Sequence, residues 1–211
     1  MSANRKIHIV GLTGGIASGK SEAAKYLESL GAHTIDADAI SRSLTADGGE
    51  LLPAIREAFG DGVFTEEGSL NRGELGNIVF SNPEKRKKLD ALTHPAIQRA
   101  VLDEIYAAEN AGEGLIFLNV PLLFETGMDV LCDESWLVSV DVDTQKERLM
   151  ARDGISEEQA LNRIRSQMTL EQKRERASVI IDNSRNIERM YSELQSLYGQ
   201  LVKKYAGKNA E

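Results

Sequence analysis

The eight residues Gly14-Gly15-Ile16-Ala17-Ser18-Gly19-Lys20-Ser21 constrain this chain more than any other feature. They repeat the spacing G-x-x-x-x-G-K-S, and they lie between the apolar run Ile7 to Leu12 and a segment, Lys20 to Leu30, with apolar residues at 23, 24, 27 and 30. That is strand, glycine-rich loop, amphipathic helix. In such a loop backbone N–H groups turn inward around phosphate oxygens, the helix aims its positive end at them and the lysine reaches the outer phosphates. Gly14 to Ser21, continuing to Glu22, are expected to hold a nucleoside triphosphate, with Lys20 on its phosphates and the Ser21 hydroxyl on Mg²⁺.

Further β-prone runs follow: Thr34-Ile35 leading into Asp36, Leu115 to Val120, Trp136 to Val142 and Val179 to Ile181. Helical patterns separate most of them, which implies an α/β fold of the P-loop nucleoside-triphosphate-hydrolase type, a parallel sheet with helices on both faces and ligands at the carboxyl ends of its strands. About Ala39 to Asn110 shows no convincing strand and reads as a helical insert. Arg152 to Arg176 is polar, arginine-rich and helix-prone, and suits a mobile cover over the nucleotide. Ile187 to Tyr205 reads as a closing amphipathic helix. The expected organisation is one domain over 5–206, with a core of 5–38, 113–150 and 177–206, an insert of about 39–110 and a lid of about 151–176.

With 211 residues, 41% of them hydrophobic and 27% charged, the chain suffices for one sizeable core and does not have the composition of a disordered segment. A net charge of −8 supplies no field for a polyanion, so no nucleic-acid partner is expected. Cys132 is the only cysteine, which excludes an internal disulfide and suits a reducing compartment. No apolar run approaches the roughly 20 residues of a membrane span. Met1 to Arg5 shows no signal-peptide core. The reading is cytoplasmic, with no membrane and no obligatory protein partner.

Many enzymes share this loop, so other residues must define the reaction. Neither a D-x-x-G switch nor an N-K-x-D guanine reader occurs, and a motor would need more chain; transfer from ATP to a small acceptor remains. Asp36-Ala37-Asp38 follows the second strand, where one carboxylate can orient an acceptor hydroxyl and the other cap a helix. Arg148, Arg152, Arg163, Arg165, Lys173, Arg174 and Arg176 recur through the cover, and guanidinium forks match phosphate geometry. Arg148 and Arg152 are favoured because they follow the fourth strand. Lys85 to Lys88 reads as a solvated helix face, Pro95 should start a helix, His94 read alone is structural, and Trp136 and Cys132 read as core.

Taken together, these segments resemble the dephospho-CoA kinase family over nearly the whole chain. The resemblance rests on Gly11 to Ile16 entering the loop, Ile35-Asp36-Ala37-Asp38, Leu92-Thr93-His94-Pro95, Pro121-Leu122-Leu123-Phe124-Glu125, Arg148 with Arg152-Asp153, and Ile181-Asp182-Asn183. It implies a P-loop core, a helical substrate domain and a lid, with ATP, Mg²⁺ and the small-molecule substrate dephospho-CoA. It implies Asp38 as the base facing the ribose hydroxyl, Lys20 and Ser21 on phosphates and Mg²⁺, and Arg148 and Arg152 on the lid side. Arg72, His94 and the turn containing Leu122 would border the dephospho-CoA pocket.

Several positions depart from the family pattern. Ala17 replaces a common glycine, a change that a loop residue at negative φ tolerates. Glu22 replaces a threonine, and Asn183-Ser184-Arg185 lacks a glycine. Asn119 stands where the family has an Asp, leaving water or Glu125 for a second place at the metal. A nucleoside, nucleotide or shikimate kinase is the nearest alternative. A module that binds ATP to present a surface to a partner is the alternative from a different class.

Overall fold

The computed structural model describes residues 6–206, so Arg5, the expected start of the domain, lies outside the described residues. Strands β1 (His8–Gly14), β2 (His33–Asp36), β3 (Leu115–Asn119), β4 (Glu134–Ser139) and β5 (Val179–Asp182) form one parallel sheet in the order β2-β3-β1-β4-β5. Nine α-helices run among the described residues: α1 (Lys20–Ser29), α2 (Ala37–Leu44), α3 (Leu52–Phe59), α4 (Arg72–Ser81), α5 (Pro83–Asn110), α6 (Val142–Asp153), α7 (Glu157–Arg165), α8 (Leu170–Arg176) and α9 (Ile187–Leu201). A π-helical turn, Val202–Ala206, follows α9. None of the helices is long and apolar enough to cross a membrane.

β3 is buried along its whole length and β1 after its first residue, as continuous apolar runs in a two-faced parallel sheet require. One face packs Val10, Leu12, Phe117, Trp136 and Val138 against Ala23, Ala24 and Leu27 of α1 and Met190 and Leu194 of α9. The Phe117 and Trp136 rings meet edge to face at 5.2 Å, a favourable aromatic geometry. On the other face Gly11 sits so close to Leu123 and Cys132 that a Cβ would collide with both. Trp136 is core as expected, whereas Cys132 is only half-buried.

The chain divides into two compact units, one running to Asp36 and resuming at Tyr106, the other spanning Ala37–Ile105. The second has its own core of Leu51, Ile55, Val63, Leu75, Val79 and Ala96. The first holds the sheet, α1 and α6 to α9.

Three local expectations need correction. β4 stops at Ser139 instead of reaching Val142, because the Asp141 carboxylate accepts the Thr144 N–H at 2.8 Å and starts α6. Pro95 lies inside α5 and does not start it. The start is set by Asn82, whose side chain accepts the N–H groups of Glu84 and Lys85, and by Pro83 in the first turn. Ala17 adopts φ +59°, the left-handed region, not the negative φ expected of it.

Candidate active site

β1 is central in the sheet, and its last residue, Gly14, opens the loop that ends where α1 begins. The glycines are there for space. A Cβ on Gly14 would strike Ser18 Oγ and the Val138 carbonyl, one on Gly15 the Gln145 amide, and one on Gly19, at φ +92°, the Asn183 amide. Such crowding accounts for glycine at positions 14, 15 and 19, where bare backbone is the arrangement that lets N–H groups approach an anion. Ser18 Oγ is buried without a hydrogen-bond partner among the described residues, a polar atom still available inside the loop.

Three amide side chains grip the loop backbone. Gln145 of α6 donates to the Ile16 carbonyl at 3.0 Å, Gln167 accepts the Ile16 N–H at 3.0 Å, and Asn183 donates to the Ser18 carbonyl at 2.8 Å. Arg148 Nη2 donates to the Asn183 carbonyl at 3.1 Å, which brings its guanidinium beside Gly19. Asn183 belongs to the motif Ile181-Asp182-Asn183; no sequence pattern marked Gln145 or Gln167.

Lys20 Nζ donates to Asn119 Oδ1, and Asn119 Nδ2 donates to Asp36 Oδ2 at 3.2 Å. Asp36 ends β2 and α2 begins at the next residue, placing Asp38 in the exposed first turn of α2. Ser21 and Glu22 are exposed in the first turn of α1. Among the described residues no cluster of three His, Cys, Asp or Glu side chains is suited to a metal. Mg²⁺ takes oxygen ligands, and the Ser21 hydroxyl, next in the loop after Lys20, is an oxygen that could hold it. Glu125 is committed elsewhere: it accepts the Met168 N–H at 3.0 Å and lies 2.9 Å from Lys173 Nζ.

The cationic segment divides by partner. Arg152 and Arg163 both bind Asp153, and the Arg152 hydrogen bond in particular holds that carboxyl below the usual carboxylate range. Arg174 donates to Ser139 Oγ at 3.2 Å, and Arg176 to Asp129 at 2.7 Å and the Phe124 carbonyl at 3.3 Å. Arg165, with Gly15, Gln145, Gln167 and Lys173, lines a cavity of about 340 Å³ beside the loop. Of the two favoured arginines, the fold brings Arg148 to the loop and leaves Arg152 about 60% exposed with Asp153.

The residues read as bordering a second substrate are spread over both units. Arg72 opens α4 and donates from Nη2 to the carbonyls of Arg42 and Thr45, each at 3.2 Å, at the end of α2. His94 lies within α5, 3.6 Å from Asp90 one turn earlier. Leu122 is half-buried in the turns after β3 and accepts both the N–H and the hydroxyl of Thr126.

A phosphate loop at the end of the middle strand of this five-stranded parallel sheet defines the P-loop nucleoside-triphosphate-binding fold. Shikimate kinase from Acinetobacter baumannii shares the fold, with a TM-score of 0.53 at 16% identity over 95% of this chain and 96% of that one. The chain belongs to the dephospho-CoA kinase family, whose model matches residues 8–189 and whose members catalyse the final step of coenzyme A biosynthesis. Dephospho-CoA kinase from Carboxydothermus hydrogenoformans is 46% identical over 85% of this chain and 87% of its own length. The structure of dephospho-CoA kinase from Campylobacter jejuni gives a TM-score of 0.70 at 28% identity, covering 93% of this chain and 98% of that one.

Proposed function

We propose that the chain transfers the γ-phosphoryl group of MgATP to the ribose 3′-hydroxyl of dephospho-CoA, with Asp38 as general base. The observation that supports this most directly is the loop Gly14 to Lys20, with no room for a side chain at Gly14, Gly15 or Gly19, in a chain of this family. Asp38 takes the hydroxyl proton, the 3′-oxygen bonds to the γ-phosphorus, and the bond from that phosphorus to the β–γ bridging oxygen breaks to leave ADP. Lys20 and the loop N–H groups take up charge on the phosphates, and Arg148 approaches them from the Gly19 side. Arg152 joins only when released from Asp153. Mg²⁺, when bound, neutralises charge on the outer phosphates, with the Ser21 hydroxyl as its protein ligand.

The magnitudes order the roles. General-base help is worth typically 10²–10⁴-fold. Positioning supplies roughly 7–11 kcal/mol. Loss of Asp38 should therefore slow turnover while ATP still binds, and loss of Lys20 should weaken both.

The test is ADP release with MgATP, with and without dephospho-CoA, for the parent, Lys20→Ala and Asp38→Asn, with mass detection of coenzyme A. Dephospho-CoA-dependent ADP matched by coenzyme A, and lost in both variants while Asp38→Asn still binds ATP, supports the assignment. Full activity in Asp38→Asn removes that residue as the base. ADP release indifferent to dephospho-CoA, with no coenzyme A formed, rejects the acceptor and turns attention to AMP, CMP and shikimate.

A further inference from the structure

Ile16 is held at both ends of its backbone, its carbonyl by Gln145 and its N–H by Gln167. The next residue, Ala17, sits at φ +59°, where a side chain costs conformational energy that persists only if the surroundings impose it. Gln145 comes from a helix packed beside the sheet and is almost fully buried. Gln167 comes instead from the short link between α7 and α8, far along the chain from the loop it touches.

That link is fastened to the core next door. Met168, adjacent to Gln167, donates its N–H to Glu125 Oε1, and the same carboxylate oxygen lies 2.9 Å from the Lys173 ammonium of α8. Lys173 is 1% exposed, a burial that a lysine tolerates only with a counter-charge, and among the described residues its ammonium has no well-aligned hydrogen bond beyond that pairing. Thr169 and Gln172 close a capping box over the start of α8, which sets where the helix carrying Lys173 begins, with its N-cap two residues after Gln167.

We infer that Gln167 is a positioning residue for the phosphate loop, holding the Ile16 peptide in the orientation that a left-handed Ala17 demands, and that the pairing of Glu125 with the buried Lys173 ammonium keeps Gln167 in place. The inference rests on the loop being the ATP site and adds a residue from the arginine-rich segment that acts on the loop backbone and not on phosphate. A loop held this way is ready before nucleotide arrives, so the gain appears in ATP binding.

The experiment follows hydrogen exchange at the Ile16 amide in the nucleotide-free protein, together with KM values for both substrates. Gln167→Met removes the acceptor at nearly constant shape, and Gln167→Glu keeps an acceptor oxygen on the same stem. Exchange at Ile16 should rise ~5-fold in Gln167→Met, the worth of one ordinary hydrogen bond, and stay near the parent rate in Gln167→Glu. KM for ATP should rise by a similar factor in Gln167→Met while KM for dephospho-CoA holds. The double variant Glu125→Gln/Lys173→Met, which removes the pair without stranding a buried charge, should speed Ile16 exchange as Gln167→Met does. Unchanged exchange in Gln167→Met, or equal rises in both KM values, overturns the positioning role; unchanged exchange in the double variant overturns the anchor. Because exchange is read without nucleotide or acceptor, it decides the inference even if dephospho-CoA proves not to be the acceptor.

Discussion

Lys20, the second residue of the loop's closing G-K-S, reaches across to the last residue of β3 and donates to Asn119 Oδ1 at 2.5 Å. Asn119 stands opposite Asp36 in the β2–β3 register and donates to it in turn, so an amide separates an ammonium from a carboxylate at the ends of two neighbouring strands. An amide suits that place because it offers an acceptor to one side and a donor to the other, which neither Asp nor an apolar residue does.

Asn119→Leu tests the relay. Asn119 is buried, and leucine fills its volume while removing both hydrogen bonds, leaving polar groups of Lys20 and Asp36 less well matched. Lys20 and Asp36 are only half-buried, so the expected loss in urea unfolding is about 1 kcal/mol, the low end of the cost of leaving polar partners unmatched. A loss below about 0.5 kcal/mol, the scatter of neutral surface changes, would show that the amide contributes nothing there.

Ala17→Gly tests the strain in the loop. A left-handed alanine costs roughly 1–2 kcal/mol that glycine does not incur. Glycine returns about 0.4–1 kcal/mol of that through the freer unfolded chain. The expected net gain is up to about 1.5 kcal/mol, with Tm rising roughly 2–4 °C per kcal/mol for a chain of this size. A fall in Tm would mean that the loop holds Ala17 without strain.

Asp153 sets a pH dependence. Its hydrogen bond to Arg152, with Arg163 alongside, lowers its folded pKa. A lowered carboxyl pKa contributes stability that is fully present above the unfolded value of about 3.9 and is lost as pH falls through the folded one. Asp153→Asn should therefore unfold below the parent Tm at neutral pH, and the two Tm curves should converge as pH drops below about 4. A gap that persists into acid would assign the effect to shape and not to charge.

The sheet was legible because its strands are short apolar runs between helical patterns, and the loop because its glycines sit where crowding forbids a side chain. Val142 illustrates the limit at an element end: its β-branched side chain extends the apparent run of β4, but the Asp141 cap decides the boundary. Pro95 misled for a related reason, since proline marks a helix start in isolation but can lie within a long helix whose start is already capped. The grip on Ile16 was not legible at all. Gln145 and Gln167 are ordinary polar residues in sequence, and only the sheet's crossovers carry them more than a hundred positions back to the loop.

Arg72 offers the sharpest division between a structural and a substrate role. Its guanidinium donates to the carbonyls of Arg42, which also accepts the Thr45 hydroxyl at 3.4 Å, and of Thr45, at the end of α2, the helix whose first turn carries Asp38. Arg72 is solvent-exposed, so the two bonds together are worth about 1 kcal/mol and not the larger value of a buried charged pair. Arg72→Met, which keeps much of the stem and loses the donors, should lower stability by that amount and leave KM for dephospho-CoA within about two-fold of the parent, a change of less than half a kcal/mol. A rise of ten-fold or more, about 1.4 kcal/mol, without loss of stability would instead put the guanidinium on the substrate, as the family resemblance implies.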